Sequence, residues 1–256
     1  MTSAENDKEL PLVQHLIELR TRLLWTVGVI GVLFFILYGL FSKDIYAIVS
    51  APLMKLLPAN SSMIATDITS PLLTPMKLTF FVALVAAIPY ILYQIWAFVA
   101  PGLYKREKNI ALPILVSSVL LFYTGMAFAY FLIFPLIFKI TTQSGLVGVT
   151  AMTDITKYLD FVLHMFFAFG FIFEIPVATV LLISAQVMSA RALIKKRPYV
   201  ILGCFVVGMI LTPPDVTSQF LLAMPMWALF EIGVYIGLFI ETRRKKNELV
   251  TDADAS

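Results

Sequence analysis

Charge is what this chain has least of. Only 14% of its 256 residues are Asp, Glu, Lys or Arg, where a soluble domain carries about a quarter. The net charge of +3 is too small to indicate a nucleic-acid partner. A single cysteine, Cys204, excludes an intrachain disulfide and a Cys-based metal site. Set inside an apolar run, it reads as a small packed residue rather than a reactive thiol. With only two histidines, the chain shows no Ser/His/Asp set, Gly-rich phosphate loop or zinc signature. No active site is specified, so no enzymatic activity, cofactor or metal is expected. The N-terminus is polar and mildly acidic, and no small-residue cleavage site follows the first apolar run. That run is therefore expected to stay as an anchor rather than to be removed as a secretory signal.

Apolar residues fill the space that charge leaves: 60% of the chain is hydrophobic and its mean hydropathy is +0.90. A helix needs about 20 apolar residues to cross ~30 Å of hydrocarbon. Six runs predict spans over residues 23–41, 76–99, 110–138, 158–185, 199–212 and 216–240. The fold class expected is an all-α polytopic membrane protein: one domain over 1–246 with a disordered tail over 247–256. The basic residues sort onto alternate connections. Lys8, Arg20 and Arg22 precede the first run, and Lys105, Arg106 and Lys108 separate the second and third. Arg191, Lys195, Lys196 and Arg197 separate the fourth and fifth, and Arg243 to Lys246 follow the sixth. Only Lys43, Lys55, Lys77, Lys139 and Lys157 fall elsewhere. Cytoplasmic loops retain Lys and Arg, so both termini are expected in the cytoplasm.

Within this frame several segments stand out. Leu12, Leu16, Leu19 and Leu23 lie at helical spacing, predicting an amphipathic helix over about 11–22 that enters the first span. The linker from Ser42 to Lys77 holds Pro52, Pro58, Pro71 and Pro75, which predicts short helical pieces broken at Pro52 and an outside cap over the helix ends. Thr153-Asp154-Ile155-Thr156 is a helix N-cap signal. The fifth run, closed by Thr212-Pro213-Pro214-Asp215, rises only about 21 Å, so one corner of the bundle is expected to be shallow. Pro89, Pro113, Pro135, Pro176 and Pro225 interrupt spans and favour kinks, which predicts a concave, glove-like bundle with short helices 5 and 6. No internal repeat supports a transporter of the inverted-repeat kind.

The polar residues inside the runs need reasons. Glu174 sits about 24 Å along the fourth span from Tyr158, where a carboxyl is costly and marks a functional or water-lined site. The bland alternative is a protonated Glu bonded to a neighbouring helix, with Gln219 or Thr212 as partner. Asp160 and His164, at i and i+4, read as a local pair. Glu18, four residues before Arg22, reads by spacing alone as an ordinary surface pair, as does Glu107 between Arg106 and Lys108. Glu231 and Glu241 read as interfacial residues.

Longer strings go further. His15-Leu16-Ile17-Glu18-Leu19-Arg20 resembles the N-terminal signature of the TatC family, the receptor subunits of the twin-arginine protein translocase. Ser50-Ala51-Pro52-Leu53, Thr66-Asp67 and Pro75-Met76-Lys77 resemble the family's first outside loop. The stretch from Tyr93 through Phe98, Pro101-Gly102-Leu103 and Glu107 resembles the first cytoplasmic loop. Phe173-Glu174-Ile175-Pro176 resembles the intramembrane Glu motif, and Lys196-Arg197-Pro198-Tyr199 with Thr212-Pro213-Pro214-Asp215 resemble the ends of the short fifth span. The resemblance covers residues 12–240 in order. It implies a non-enzymatic receptor in the bacterial inner membrane. Glu18 and Glu107 would bind the paired arginines of export signals, with Arg20, Phe98 and Leu103 beside them. It also implies an intramembrane polar site at Glu174 and Gln219, and structural or partner contacts at Pro52, Asp67, Pro213 and Asp215. Single-span partners resembling TatA and TatB, a self-associating complex and transport driven by the proton-motive force follow from the same resemblance. His164 belongs to none of these motifs. The rival reading is a proton- or ion-coupled small-solute transporter, which Glu174 in a kinked helix would also fit.

Overall fold

The computed structural model describes residues 3–56, 68–103, 108–137, 154–211 and 216–254. Helix α1 is Ser3–Leu56, α2 is Ser70–Leu103 and α3 is Lys108–Phe128. A π-helical turn, Ala129–Ile133, continues α3. Then come α4, Ile155–Ile172, and α5, Ile175–Ser184. The short α6, Ala190–Lys195, precedes α7, Arg197–Leu211, and α8, Val216–Asp254. Among the described residues five stretches are long and apolar enough to cross a membrane: Val13–Ser42, Ser70–Phe98, Leu112–Ile137, Ile155–Ser184 and Gln219–Arg243. The fold is all-α, and α7, with 15 residues, is the short fifth element that the sequence predicts.

Four expectations differ from what forms. The sixth helix is not short: α8 has 39 residues. Its end takes in the stretch from 247 that was expected to be disordered. Nucleation is the costly step of helix formation, and a tail that continues an existing span avoids it. Likewise α1 does not break at Pro52, nor does the 11–22 stretch form a separate element; one 54-residue helix includes both. A proline removes one backbone donor, and the turns around it carry the helix on. Of the linker from Ser42 to Lys77 expected to form the outside cap, residues 57–67 lie outside the described residues, and so do Asp67, Glu107, Pro213 and Asp215.

The intramembrane prolines have two outcomes. Pro113 and Pro225 lie inside uninterrupted helices, as does Pro89. Pro135 follows the π turn, in which the Phe134 N–H donates to the Ala129 carbonyl five residues back. The wider turn absorbs the missing donor and the ring clash that a proline brings. Pro176 separates α4 from α5. Its ring cannot donate to Ile172, so α4 stops there and the Glu174 N–H turns to the Phe171 carbonyl at 3.0 Å. The Ala178 N–H then resumes helical bonding to Glu174 O at 2.9 Å.

The chain divides into two compact units. In the first, Met1–Leu115 with Leu146–Phe161, α1 lies on α2. Asp154 caps α4, accepting from the N–H groups of Thr156 at 2.7 Å and Lys157 at 3.1 Å. The Thr156 hydroxyl donates to Ser70 Oγ at 2.9 Å, fastening the start of α4 to the start of α2. Asp160 holds the Lys77 ammonium with both oxygens, at 3.1 and 3.2 Å, a partner that the i, i+4 reading with His164 did not supply.

In the second unit, Val116–Gly145 with Val162–Ser256, small residues let backbones approach. Lipid tails are as apolar as the side chains, so helix association rests on close packing rather than on hydrophobic expulsion. A Cβ on Gly125 would collide with the Phe169 carbonyl, and Phe122 and Phe169 are fully buried beside it. A Cβ on Gly233 would lie 2.8 Å from Pro176 Cα and 2.9 Å from Thr179 Cβ. Gly233→Leu is therefore expected to destabilise the protein by about 1–3 kcal/mol. Gly203→Leu, at a position with nothing within 4 Å, is expected to leave stability unchanged. Thermal unfolding of both variants in detergent measures the contrast.

Candidate functional site

Two polar constellations stand apart from the apolar packing, one in each unit. The first is built on α1 and α2. Glu18 and Arg22 are one helical turn apart, and both Arg22 Nε and Nη2 donate to Glu18 Oε1, at 2.9 and 2.7 Å. The spacing-based pairing therefore forms. Arg22 Nη1 reaches across to α2 and donates to Gln94 Oε1 at 2.9 Å. Gln94 Nε2 in turn donates to the Tyr90 hydroxyl at 2.6 Å. One turn earlier on α1, the His15 ring stacks on Phe98 with centroids 4.1 Å apart and planes 10° from parallel. His15 Nδ1 lies 3.9 Å from Glu18 Oε2, beyond hydrogen-bonding distance.

The Glu18 side chain remains 39% exposed and that of Arg22 26%. Oε1 is thus bound, and Oε2 has no hydrogen bond among the described residues. An open carboxylate oxygen is an acceptor for a guanidinium or ammonium group. Arg20, two residues on, is exposed. Of the residues expected at this site, Glu18 and Phe98 are brought together through His15. Helix α2 includes Leu103, whose side chain lies outside the described residues, as does that of Pro52 in α1.

The second constellation surrounds Glu174, which the break before Pro176 leaves as the N-cap of α5. Its side chain makes no capping bond. Ser118 of α3 is its polar neighbour, yet Glu174 Oε1 and Ser118 Oγ are both buried without a well-formed hydrogen bond. The expected pairing with Gln219 is not found. The Gln219 amide donates instead to the Phe205 carbonyl at 2.9 Å, because its stem lies against Gly208, where no side chain keeps α8 from α7. Thr212 lies outside the described residues. Two further acids fasten helices. Glu231 Oε2 accepts from Arg197 Nη2 at 2.5 Å, tying α8 to the start of α7. Glu241 Oε2 accepts from the Ala190 N–H at 3.1 Å, satisfying a free donor of α6 beside the Ser189 cap.

Sequence reasoning missed Tyr90, Gln94 and Ser118. The signal for the first two was available: an i, i+4 polar pair inside an apolar run. Ser118 gave none, since a lone serine in a span is common.

Comparison with known proteins adds independent findings. Residues 14–225 match the family profile described as Sec-independent protein translocase protein (TatC). The chain is 56% identical over 241 residues to the Sec-independent protein translocase protein TatC of Azotobacter chroococcum mcd 1, covering 94% of each chain. It is also 56% identical over 238 residues to the protein of that name from Escherichia coli, covering 93% of this chain and 92% of the relative. A crystal structure of the twin-arginine translocase receptor TatC superposes with a TM-score of 0.77 at 36% identity, over 88% of this chain and 98% of that one.

The orphaned carboxyl at the helix break generates a stability prediction. Glu174→Met removes a half-buried carboxyl whose Oε1 is buried without a well-formed hydrogen bond, so the unfolding temperature in detergent is expected to rise, by an amount equivalent to about 1–3 kcal/mol. A lower unfolding temperature would show that the carboxyl holds the break together.

Proposed function

The chain belongs to the TatC family of Sec-independent protein translocase proteins, and from that premise we propose that it is the subunit that recognises twin-arginine signal peptides of folded cargo. It is a multi-pass membrane component of the translocase, not an enzyme. The solute-transporter reading finds no support in this assignment.

The observation that carries the receptor reading is the state of Glu18. Its carboxylate is held in place by Arg22 through one oxygen, while the other has no hydrogen bond among the described residues and the side chain is 39% exposed. A guanidinium docking there forms charge-assisted hydrogen bonds, and its planar fork suits a carboxylate better than a Lys ammonium does. Arg22 partly neutralises Glu18, so one carboxylate alone is a weak cation trap. The second acid, Glu107, supplies the charge for the second arginine of the pair. The resemblance assigns Arg20, Phe98 and Leu103 to the same site, and the Phe98 ring is held there by stacking on His15.

Glu174 and Gln219 belong to a separate polar site within the membrane. Single-span partners of the TatA and TatB kind complete the complex, with Pro52, Asp67, Pro213 and Asp215 at structural or partner contacts. Transport draws on the proton-motive force. The alternation of basic connections supports an orientation with both termini in the cytoplasm, and the family resemblance supports the bacterial inner membrane as its location.

Two experiments test this reading. Site-specific photocrosslinking to a twin-arginine signal peptide is expected to fall about ten- to hundredfold for Glu18→Arg with Glu107→Arg, the scale of one or two lost charge-assisted hydrogen bonds. Unchanged crosslinking of that double variant would remove the binding role. A C-terminal alkaline-phosphatase fusion, active only outside the cytoplasm, is expected to be inactive; activity would overturn the orientation.

A further inference from the structure

Gln94 is an amide in the middle of an apolar helix, and its two ends are both engaged. The Arg22 guanidinium carries only donors, so the carbonyl end of Gln94 faces it, at 2.9 Å. The amide end donates to the Tyr90 hydroxyl one turn earlier, at 2.6 Å. Tyr90 thus fixes which way Gln94 points.

The effect on Glu18 follows from geometry. A guanidinium that meets a carboxylate without other demands makes two parallel bonds, one to each oxygen. Arg22 does not. Its Nε and Nη2 both fall on Glu18 Oε1, while Nη1 is drawn to Gln94. Oε2 has no hydrogen bond among the described residues; His15 Nδ1 lies 3.9 Å from it, and the His15 ring is held against Phe98.

We propose that Gln94, oriented by Tyr90, is a positioning residue of the signal-peptide site: it turns Arg22 so that Glu18 keeps one carboxylate oxygen open to the incoming arginine. The proposal rests on the reading of Glu18 as the receptor carboxylate. Without Gln94 the Arg22 fork closes over both oxygens of Glu18, and the cargo arginine must displace a bidentate ion pair within the receptor before it binds. Arg22 is then a competitor of the signal peptide, and Gln94 is the group that limits the competition.

The test uses the full-length protein in lipid nanodiscs and a fluorescent twin-arginine signal peptide, with affinity read by anisotropy and integrity by thermal unfolding. Gln94→Leu is expected to weaken binding roughly three- to tenfold, about the worth of one net hydrogen bond, with the unfolding temperature unchanged. In an Arg22→Met background, Gln94→Leu is expected to change nothing, because no guanidinium remains to be turned. The proposal is overturned if Gln94→Leu binds as well as the parent or better. It is also overturned if the loss persists in the Arg22→Met background, which marks direct contact with the peptide or damage to the fold. Glu18→Gln separates the two levels. If Glu18→Gln binds normally, the receptor reading itself falls; if it weakens binding while Gln94→Leu does not, only the role of Gln94 falls.

Discussion

Hydrocarbon offers no hydrogen bonds to a polypeptide backbone, and the architecture of this chain follows from that single deficit. Each spanning segment must bond to itself, so the segments are helices, and each proline within a span becomes a local problem to be absorbed. Most are absorbed silently, as Pro89, Pro113 and Pro225 lie in continuous helix. Two are not. Before Pro135 the helix widens into a π turn, and before Pro176 it stops and restarts. At the second of these the intramembrane acid, Glu174, is found. A sequence choice at residue 176 thus sets the backbone at 172–175, and the backbone sets where the carboxyl sits.

The two acids central to the proposed function obey opposite physical rules. Glu18 is partly exposed and is ordered by neighbours that leave half of it unused. Its value lies in availability. Glu174 is deep and under-bonded, a condition that a purely structural group would lose, since replacing an unsatisfied buried polar group by an apolar one is commonly neutral or favourable. The acids Glu231 and Glu241 show the contrast: one is paired with Arg197 and the other caps α6, and both fasten helices to each other.

What was legible in the sequence was what depends on spacing along one helix. The apolar runs, the shortness of α7, the Asp154 cap and the Glu18–Arg22 pair are all set by residues within a few positions of each other. What depends on two helices meeting was not legible. Gln94 lies 72 residues from Arg22, and nothing in the local pattern of either says that they touch. The close approaches at Gly125 and Gly233 have the same origin, because a glycine in a span carries no mark of what faces it. The pairing of Glu174 with Gln219 was a plausible match of polar groups, defeated by a backbone carbonyl of Phe205 that lies nearer. The unbroken course of α1 and the helical tail of α8 fail differently: local composition disfavours them, and continuity with a stable span overrides it.

The continuity of α1 has a mechanical meaning. From Glu18 to Ser42 the helix is one rod about 36 Å long, with no break at which rotation could be lost. A ligand that pulls on Glu18 also pulls on that rod, and a turn of its near end swings the far end by the same angle. The side chains on one side of it, Trp25 and Phe35 among them, are exposed, while another side lies on α2. Whatever seats itself at one face of the membrane therefore has a stiff axle to the other.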